Sequence, residues 1–359
     1  MKKFFAIAAI ALSVLAISCK KDKTPTDNTP KVDLTELNAV VAECETLVNA
    51  ATTDSYPQDA IDAFKKVISE VKAAAAKAES EAAVKSLISR LNDAKKTFEE
   101  SAVDAIKADN VIFALSFDEG TGTQLTTTGK NAWTAVFQKG AEELFPNTKL
   151  PEFVEGKVGK ALHFADASHL SIADYDAKAV TGLGAISIAC WVKPDELRAS
   201  NYIVSLDSWH VWKFQTQDGG KPFFTIATTN GVSDMDNETD GSVEVGKWAH
   251  LAVTWTTETG EVNMYVNGQL TKTWAGNAHM DGTKEKHGKG SKIASIAEDR
   301  LNVVELAIGS DETIGMKRGA DNAEIKAWDA WFHGAIDELS VYNVALSQGQ
   351  ITKLYNSAK

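Results

Sequence analysis

Cysteine is scarce in this chain of 359 residues, which contains only three. Cys19 follows an N-terminal apolar run, whereas Cys44 and Cys190 fall in two regions with different sequence patterns. A fold held by disulfides needs several cysteines within one domain, so the sequence argues against a disulfide framework. Cys44 lies on an apolar stripe at helical spacing, which predicts a small core residue rather than a reactive thiol.

An excess of basic residues is also missing. The chain has 37 Lys and Arg against 49 Asp and Glu, which gives a net charge of −12. Proteins that bind nucleic acid need a clustered basic face for the phosphate backbone, so nucleic acid is not an expected partner. The length and an apolar fraction of 44% allow two or three globular domains.

Motifs for metal-dependent or nucleophilic catalysis are absent as well. The seven histidines show no spacing such as His-Glu-x-x-His, and neither remaining cysteine has a plausible histidine partner. The histidines are His163, His169, His210, His250, His279, His287 and His333. The sequence alone therefore names no catalytic centre.

The N-terminus has the pattern of an export signal. Lys2 and Lys3 precede an apolar run from Phe4 to Ile17, which is short for a membrane span. Small residues directly before Cys19 resemble the lipobox of bacterial lipoproteins, in the looser form found in Bacteroidota, which implies that Cys19 carries lipid. The alternative is an ordinary secretory signal with an incidental cysteine.

Four segments follow from these patterns. Residues 1–18 form a lipoprotein signal peptide, and residues 19–32, rich in Pro, Thr, Lys and Asp, form a lipidated Cys and a disordered tether. Residues 33–107 are predicted as a helical spacer and residues 108–359 as a β-sandwich. We expect an exported protein anchored to the outer membrane through its lipid. Charged residues after Cys19 resemble surface-export signals, which predicts display on the outer surface.

Helical periodicity is clear between residues 33 and 107. Three amphipathic stripes, beginning near Leu34, Ile61 and Val84, recur at steps of three and four residues and are joined by short turns. This pattern predicts an up-down-up three-helix bundle. The segment resembles the FIVAR-type helical modules that act as spacers in bacterial surface proteins.

From about residue 108 the sequence changes to short alternating strands separated by Gly, Asn and Asp. Thr259-Gly260 and Asn267-Gly268 are turn pairs between such strands, which predicts β-hairpins. Many short antiparallel strands over this length predict one β-sandwich or jelly roll. The whole chain is thus a multidomain α and β protein.

Five blocks of residues 110–356 resemble the laminin G-like, concanavalin A-like jelly-roll family. They are LSFDEGTG, GKVGKALHF, ISIACWVKP, WAHLAVTW followed by VNMYVNGQ, and FHGAIDELSVYNVALS, and they occur in the family's order. The resemblance implies a two-sheet lectin-like fold that binds carbohydrate or an extracellular protein. The chain departs from the family at Thr126 to Asn131, where an Asp-Ser-Gly-Asn run is usual.

Catalytic carboxylates are not evident in this domain. Sandwich glycosidases of this type generally carry Glu-x-Asp-x-Glu on one strand, because alternate residues share a face, and the sequence lacks such a triplet. Asp337 and Glu338 are adjacent and therefore predicted on opposite faces. We interpret Asp337 as a partly buried carboxylate satisfied by backbone donors or a cation, and Glu338 as solvent-facing. A non-catalytic protein is expected, and a glycoside hydrolase or lyase whose catalytic residues meet only in the folded structure is the alternative.

A cluster of acids offers one candidate for calcium. Asp234, Asp236, Glu238 and Asp240 alternate before Gly241, as in the start of a calcium loop. An EF-hand register fails, because Lys247 stands where the closing glutamate belongs. A different Ca²⁺ site remains open beside the alternative of a solvated acidic turn.

The nine tryptophans separate into two groups. Those in alternating strands are predicted to pack in the core, namely Trp191, Trp212, Trp248 and Trp255. Those in or beside polar loops are candidates for stacking on sugar rings, namely Trp133, Trp209, Trp274, Trp328 and Trp331. An indole in a loop can equally serve to pin that loop to the sheet.

We predict a sugar-binding site on these loops. Trp328 and Trp331 are the expected platforms, and the possible polar and aromatic partners are Trp209, His210, Trp274, Asn277, Arg318, Asp321 and Asn322. Two functions follow. The first is a surface lipoprotein that captures a glycan, and the second is an adhesion or assembly protein that binds another protein through the same domain.

Overall fold

The computed structural model describes residues 32–53, 55–142, 145–301, 304–310, 317–318, 323–324 and 330–358. The predicted signal peptide, the lipidated Cys19 and the tether lie outside these residues. So do three of the predicted binding residues, Asp321, Asn322 and Trp328. None of the helices in the described part of the chain is long and apolar enough to cross a membrane.

Three helices open the described structure and confirm the helical prediction: α1 (Thr35–Ala50), α2 (Gln58–Ala75) and α3 (Glu81–Glu100). Their apolar stripes bury one shared core in which Phe98 stacks on Tyr56 and Phe64 at ring-centroid distances of 4.1 and 4.7 Å. Ser80 caps α3 by accepting the Ala83 N–H at 3.2 Å. Cys44 is fully buried in this core, as predicted, and burial raises the pKa of its thiol.

Strands begin at Val111, after a short 3₁₀ turn. In chain order they are β1 (Val111–Leu115), β2 (Gln124–Thr126), β3 (Thr134–Gln138), β4 (Glu152–Glu155), β5 (Lys160–Phe164), β6 (His169–Ile172), β7 (Ala185–Pro194), β8 (Asn201–Leu206), β9 (Trp212–Thr216), β10 (Pro222–Thr228) and β11 (Gly231–Asp236). A one-turn helix, α4 (Ala177–Val180), separates β6 from β7.

The later strands are β12 (Ala249–Thr256), β13 (Val262–Val266), β14 (Gln269–Trp274), β15 (Met280–Asp281), β16 (Lys284–Glu285), β17 (Leu306–Ile308), β18 (Lys317–Arg318), β19 (Ala323–Glu324) and β20 (Gly334–Tyr342). Helix α5 (Gln348–Ser357) follows, opened by a capping box between Ser347 and Gln350.

Two antiparallel sheets of eight strands face each other, which confirms the predicted sandwich. The first sheet has the order β14-β13-β12-β7-β20-β5-β4, with β1 paired to β20, and the second has the order β11-β10-β9-β8-β17-β6-β3-β2. One apolar core lies between the two sheets and includes Phe164, Trp212 and Trp255. The opposite side of each sheet is called its outer face below.

The predicted Asn267-Gly268 hairpin joins β13 to β14. Both residues have positive φ, 51° and 76°, as a two-residue hairpin turn of this type requires. A Cβ on Gly268 would also lie 2.9 Å from the Tyr355 ring on α5, so this turn needs glycine for contact as well as conformation. Helix α5 thereby covers part of the outer face of the first sheet.

Candidate functional site

The second sheet carries polar and aromatic side chains on its outer face. On β9, β10 and β11 the residues Phe214, Phe224 and Met235 enter the core, so their neighbours along each strand point outward. The register places Phe223 opposite Asp236 and Thr225 opposite Asp234. Alternation along these strands therefore gathers aromatic and acidic groups on one surface.

An open cleft of about 500 Å³ lies at the edge of this surface. Its walls contain two aromatic rings, Phe223 and Trp274, together with Lys221 and the four acids Asp234, Asp236, Glu238 and Asp240. The structure thus joins Trp274 to the acidic loop, which the sequence treated as a separate calcium candidate. Phe223 was not predicted as a site residue, although its alternation with the core residue Phe224 was a usable signal.

Two lysines neutralise part of this acidic cleft. Lys221 Nζ lies 3.3 Å from Asp236 Oδ2 and 3.2 Å from Asp240 Oδ1, and hydrogen bonds to Asp240 and Asp236 raise the pKa of Lys221. Lys272 pairs with Glu238. The Thr225 hydroxyl donates to Asp234 Oδ1 at 2.5 Å. The four acids are therefore held by protein partners, and the calcium site predicted there stays a prediction.

Trp274 is fixed in place at the end of β14. Its Nε1–H donates to the Asp236 carbonyl at 2.7 Å, and Lys272 Nζ lies 4.4 Å from the ring centroid. The Glu238 N–H donates to Asp236 Oδ1 at 2.7 Å, with Glu238 in the left-handed region at φ 54°. These contacts hold the indole half-buried against the acidic loop.

Trp209 stands at the other end of the same surface and is 46% exposed. It sits in a 3₁₀ turn entered through two left-handed residues, Asp207 at φ 52° and Ser208 at φ 43°. Such conformations are costly for residues other than glycine and occur often at functional sites. The fully buried Asp207 carboxylate accepts the Arg300 Nε–H at 2.9 Å and lies 3.3 Å from His210 Nδ1.

Lys213 connects Trp209 to the cleft. Its Nζ lies 3.7 Å from the Trp209 ring centroid and 5.6 Å from that of Phe223, which lines the cleft with Trp274. Trp209 and Phe223 therefore share the outer face of the second sheet, and Trp274 meets Phe223 in the cleft from β14, the edge strand of the first sheet. These three residues are called the aromatic surface below. Two of its three rings were predicted from the sequence.

The other predicted binding residues lie elsewhere. Trp331 is only 7% exposed, packed between Arg198, whose Cζ is 3.5 Å from the ring centroid, and Phe145 at 5.5 Å. This burial favours the loop-anchor interpretation of Trp331 over the platform interpretation. Asn277 is exposed in the turn after Trp274, and Arg318 lies on β18, where its side chain is outside the described structure.

The tryptophans predicted as core residues are mostly buried. Trp212 and Trp255 are fully buried between the sheets, while Trp191 is buried on the outer face of the first sheet against Tyr355. Trp248 is the exception, since it precedes β12 and stays half-exposed beside Lys193. Trp133, predicted in a loop, is 7% exposed and belongs to the core.

Asp337 has the role predicted for it. It is buried, and its Oδ2 accepts the N–H groups of Lys157 and Val158 at 2.7 and 2.9 Å. Burial raises the pKa of Asp337 to about 6 and that of Glu338 to about 7. The prediction of Glu338 as simply solvent-facing was wrong, because a bulge puts it at φ 49° and leaves it half-buried.

A histidine cluster lies on the outer face of the first sheet. His163 and His333, which have no metal-type spacing in the sequence, meet Asp195 there. One ligand atom from each residue lies within 4.8 Å of the others, and within the described ranges this is the one group of His, Cys, Asp and Glu that could hold a metal ion. This cluster is therefore a possible metal site among the described residues.

Comparison with protein families supports the assignment of the β domain. Residues 164–293 match a laminin G-type family model described as the concanavalin A-like lectin/glucanases superfamily. This span contains Trp209, Phe223, Trp274 and the acidic cleft. A comparison with curated proteins found no significant match.

Solved structures that resemble this chain share little sequence with it. Domain 4 of an extracellular arabinanase from Geobacillus stearothermophilus, solved with arabinotriose, is 18% identical, with a TM-score of 0.47, covering 68% of this chain and 98% of that domain. The binding domain of botulinum neurotoxin DC, solved with SialylT, is 14% identical with a TM-score of 0.44. That likeness covers 70% of this chain and 52% of the neurotoxin domain, about half its length.

Proposed function

We propose that this protein binds carbohydrate through the aromatic surface and the adjoining acidic cleft, and that it does so without catalysis. The observation that carries the proposal is the convergence of Trp209 and Trp274, 65 positions apart in the sequence, on opposite sides of Phe223: Lys213 links Trp209 to Phe223, and Phe223 and Trp274 line one cleft. Sugar rings stack their C–H faces on such side chains while their hydroxyls bind carboxylates and amines.

The charge of the cleft favours a neutral glycan. Four carboxylates line or border it and only Lys221 and Lys272 offset them, so an anionic polysaccharide meets repulsion. Carboxylates accept hydrogen bonds from sugar hydroxyls, and Lys221 can donate to a ring or glycosidic oxygen. A neutral polysaccharide satisfies both kinds of group.

The absence of catalysis is part of the proposal. Glycoside hydrolysis requires one carboxyl that donates a proton and a second that acts as nucleophile or base. In the cleft Asp236 and Asp240 share one lysine, Glu238 binds another, and Asp234 accepts from Thr225. Each of the four acids is held by one of these partners, an arrangement that suits a fixed surface of hydrogen-bond acceptors.

We further propose that the protein is displayed from the outer membrane through lipid on Cys19, with α1, α2 and α3 as a spacer. The support is the N-terminal sequence pattern and the position of the bundle between that pattern and the sandwich. Calcium is a second ligand that the acidic loop can take, in competition with Lys221 and Lys272.

A glycan array with the purified chain, in the presence of Ca²⁺ or a chelator, tests the proposed binding of carbohydrate and of calcium. Trp209→Ala and Trp274→Ala should each weaken glycan binding by about tenfold or more, as loss of one stacking ring implies. Trp248→Ala, a half-exposed tryptophan on the first sheet, is the matched control and should bind normally. If no glycan binds, or if all three variants bind alike, the aromatic surface is not a sugar site.

A further inference from the structure

We propose that His163, Asp195 and His333 bind a zinc ion that ties together three neighbouring strands of the first sheet. His163 Nε2 lies 2.8 Å from Asp195 Oδ2, and His333 Nε2 lies 3.8 Å from the same oxygen. Ligands of a tetrahedral zinc stand about 3.3 Å apart, as Zn–N and Zn–O bonds of about 2 Å require. The two distances from Asp195 Oδ2, 2.8 and 3.8 Å, lie on either side of this value. Small side-chain rotations therefore suffice to place an ion among the three atoms.

The backbone of the first sheet brings the three ligands together. In the order β7-β20-β5, Pro194 pairs with Gly334, and Ala335 pairs with His163. Asp195, directly after β7, donates its N–H to the His333 carbonyl at 2.9 Å. The ligands therefore come from adjacent strand positions whose relative placement is set by main-chain hydrogen bonds.

Gly334 allows β20 to lie close to β7. Its φ is 140°, and a Cβ there would lie 2.3 Å from the Lys193 carbonyl oxygen and 2.7 Å from the Pro194 Cα. A side chain at this position would push β20 away from β7. The glycine keeps His333 beside Asp195.

Glu196 orients His333 in the manner common for histidine ligands of metals. Its Oε1 lies 3.0 Å from His333 Nδ1, while Arg198 Nε lies 3.5 Å from the same glutamate oxygen. A proton held on Nδ1 by the carboxylate leaves the Nε2 lone pair directed at Asp195 and the ion. The Arg198 guanidinium in turn stacks on Trp331, which holds Arg198 in place beside Glu196.

The ligand set selects the metal. Two imidazoles and one carboxylate suit Zn²⁺ and similar transition ions, whereas Ca²⁺ prefers six to eight oxygens. Three protein ligands leave a fourth position for water, and the partial exposure of His163 and His333 gives that position access to solvent. The site is separate from the acidic cleft, which lies on the other sheet.

Calorimetric titration of the untagged chain with Zn²⁺ tests the proposal. We expect one equivalent to bind and the melting temperature to rise by about 5 to 10 °C at a hundredfold excess over Kd. Co²⁺ in place of Zn²⁺ should give the visible absorption of a low-coordinate nitrogen-ligated ion. Ca²⁺ in excess should not displace Zn²⁺ or Co²⁺ from this site, because the ligand set does not suit it.

Variants separate this site from adventitious binding. His163→Ala, Asp195→Asn and His333→Ala should each remove the zinc-dependent rise in melting temperature, and Glu196→Gln should weaken binding by about 10- to 100-fold. His210→Ala removes an exposed histidine on the second sheet and is the matched control. Because four substitutions address the site, one that fails to fold leaves the others informative. Absence of saturable Zn²⁺ binding, or equal binding by all these variants, overturns the proposal.

Discussion

Lys213 and Trp209 form a cation–π pair at one end of the aromatic surface, with the ammonium 3.7 Å from the ring centroid. The same ammonium donates to the Tyr202 hydroxyl at 2.5 Å, and Lys213 is only 1% exposed. A buried ammonium needs such partners, because its charge is costly without them. Lys213 therefore holds one side of an exposed indole while the rest of the ring stays open to solvent.

Replacing Lys213 with methionine should destabilise the β domain by about 1 to 3 kcal/mol, through loss of a charge-assisted hydrogen bond and a cation–π contact. Glycan affinity should fall as well, because Trp209 loses the group that orients it. Urea unfolding measures the first effect and titration with the bound glycan the second. Lys247→Met, at an exposed lysine, is the control and should change neither.

Arg300 should matter through the buried Asp207. Arg300→Met leaves the fully buried carboxylate without its guanidinium partner and should cost about 3 to 5 kcal/mol. Asp207→Asn with Arg300→Met should cost less than Arg300→Met alone, since no unpaired charge remains. Chemical denaturation of both variants measures this difference. Equal losses would show that the pair does not act as a buried ion pair.

Local patterns in the sequence predict most of this fold. The three helices follow from apolar stripes at steps of three and four residues, and the β13–β14 turn follows from Asn267-Gly268. Each of these signals lies within a few adjacent residues. The prediction that Trp248 packs in the core was wrong. It assumed that Trp248 belongs to the alternating strand, whereas the strand starts at Ala249.

The candidate sites could be predicted only in part. Trp209 and Trp274 stand out in or beside polar loops, but their approach to Phe223 depends on the pairing of β9 with β10 and on the contact of β14 with β11. His163 and His333 are 170 positions apart and meet only because β20 pairs with β5. Strand order is a long-range property that spacing in the sequence does not express.

Asp337 should make stability depend on pH. Its folded-state pKa of about 6 lies above the ordinary value of 3.8, so the folded protein holds this proton more tightly than the unfolded chain. The stabilisation is complete below about pH 4 and is lost as pH rises through about 6. Glu338, with a raised pKa of about 7, acts in the same direction.

Asp337→Asn isolates this contribution. The free energy of unfolding of the wild type, minus that of the variant, should fall between about pH 4 and 7 and be flat above. The subtraction cancels the opposite effect of His250 and His287, whose pKa values of about 4 make the protein lose stability as pH falls below about 6.5. Urea titrations across this range give the curve. A difference that rises with pH would contradict the burial argument for Asp337.

The charge of the acidic cleft should set which glycans bind. Glu238→Gln with Asp240→Asn removes two negative charges at exposed positions while keeping the size of both side chains. Neutral glycans should bind this variant within about twofold of the wild type, since each amide keeps an oxygen that accepts a hydrogen bond from a sugar hydroxyl. Anionic polysaccharides should bind it several-fold more tightly at low salt, and the gain should disappear at high ionic strength, where charges are screened.

Glu258→Gln with Glu261→Gln, in the turn before β13, is the matched control and should leave both preferences unchanged. If the cleft variant gains nothing for anionic glycans, the carboxylates act as hydrogen-bond acceptors alone, and the selectivity for neutral sugars has another origin.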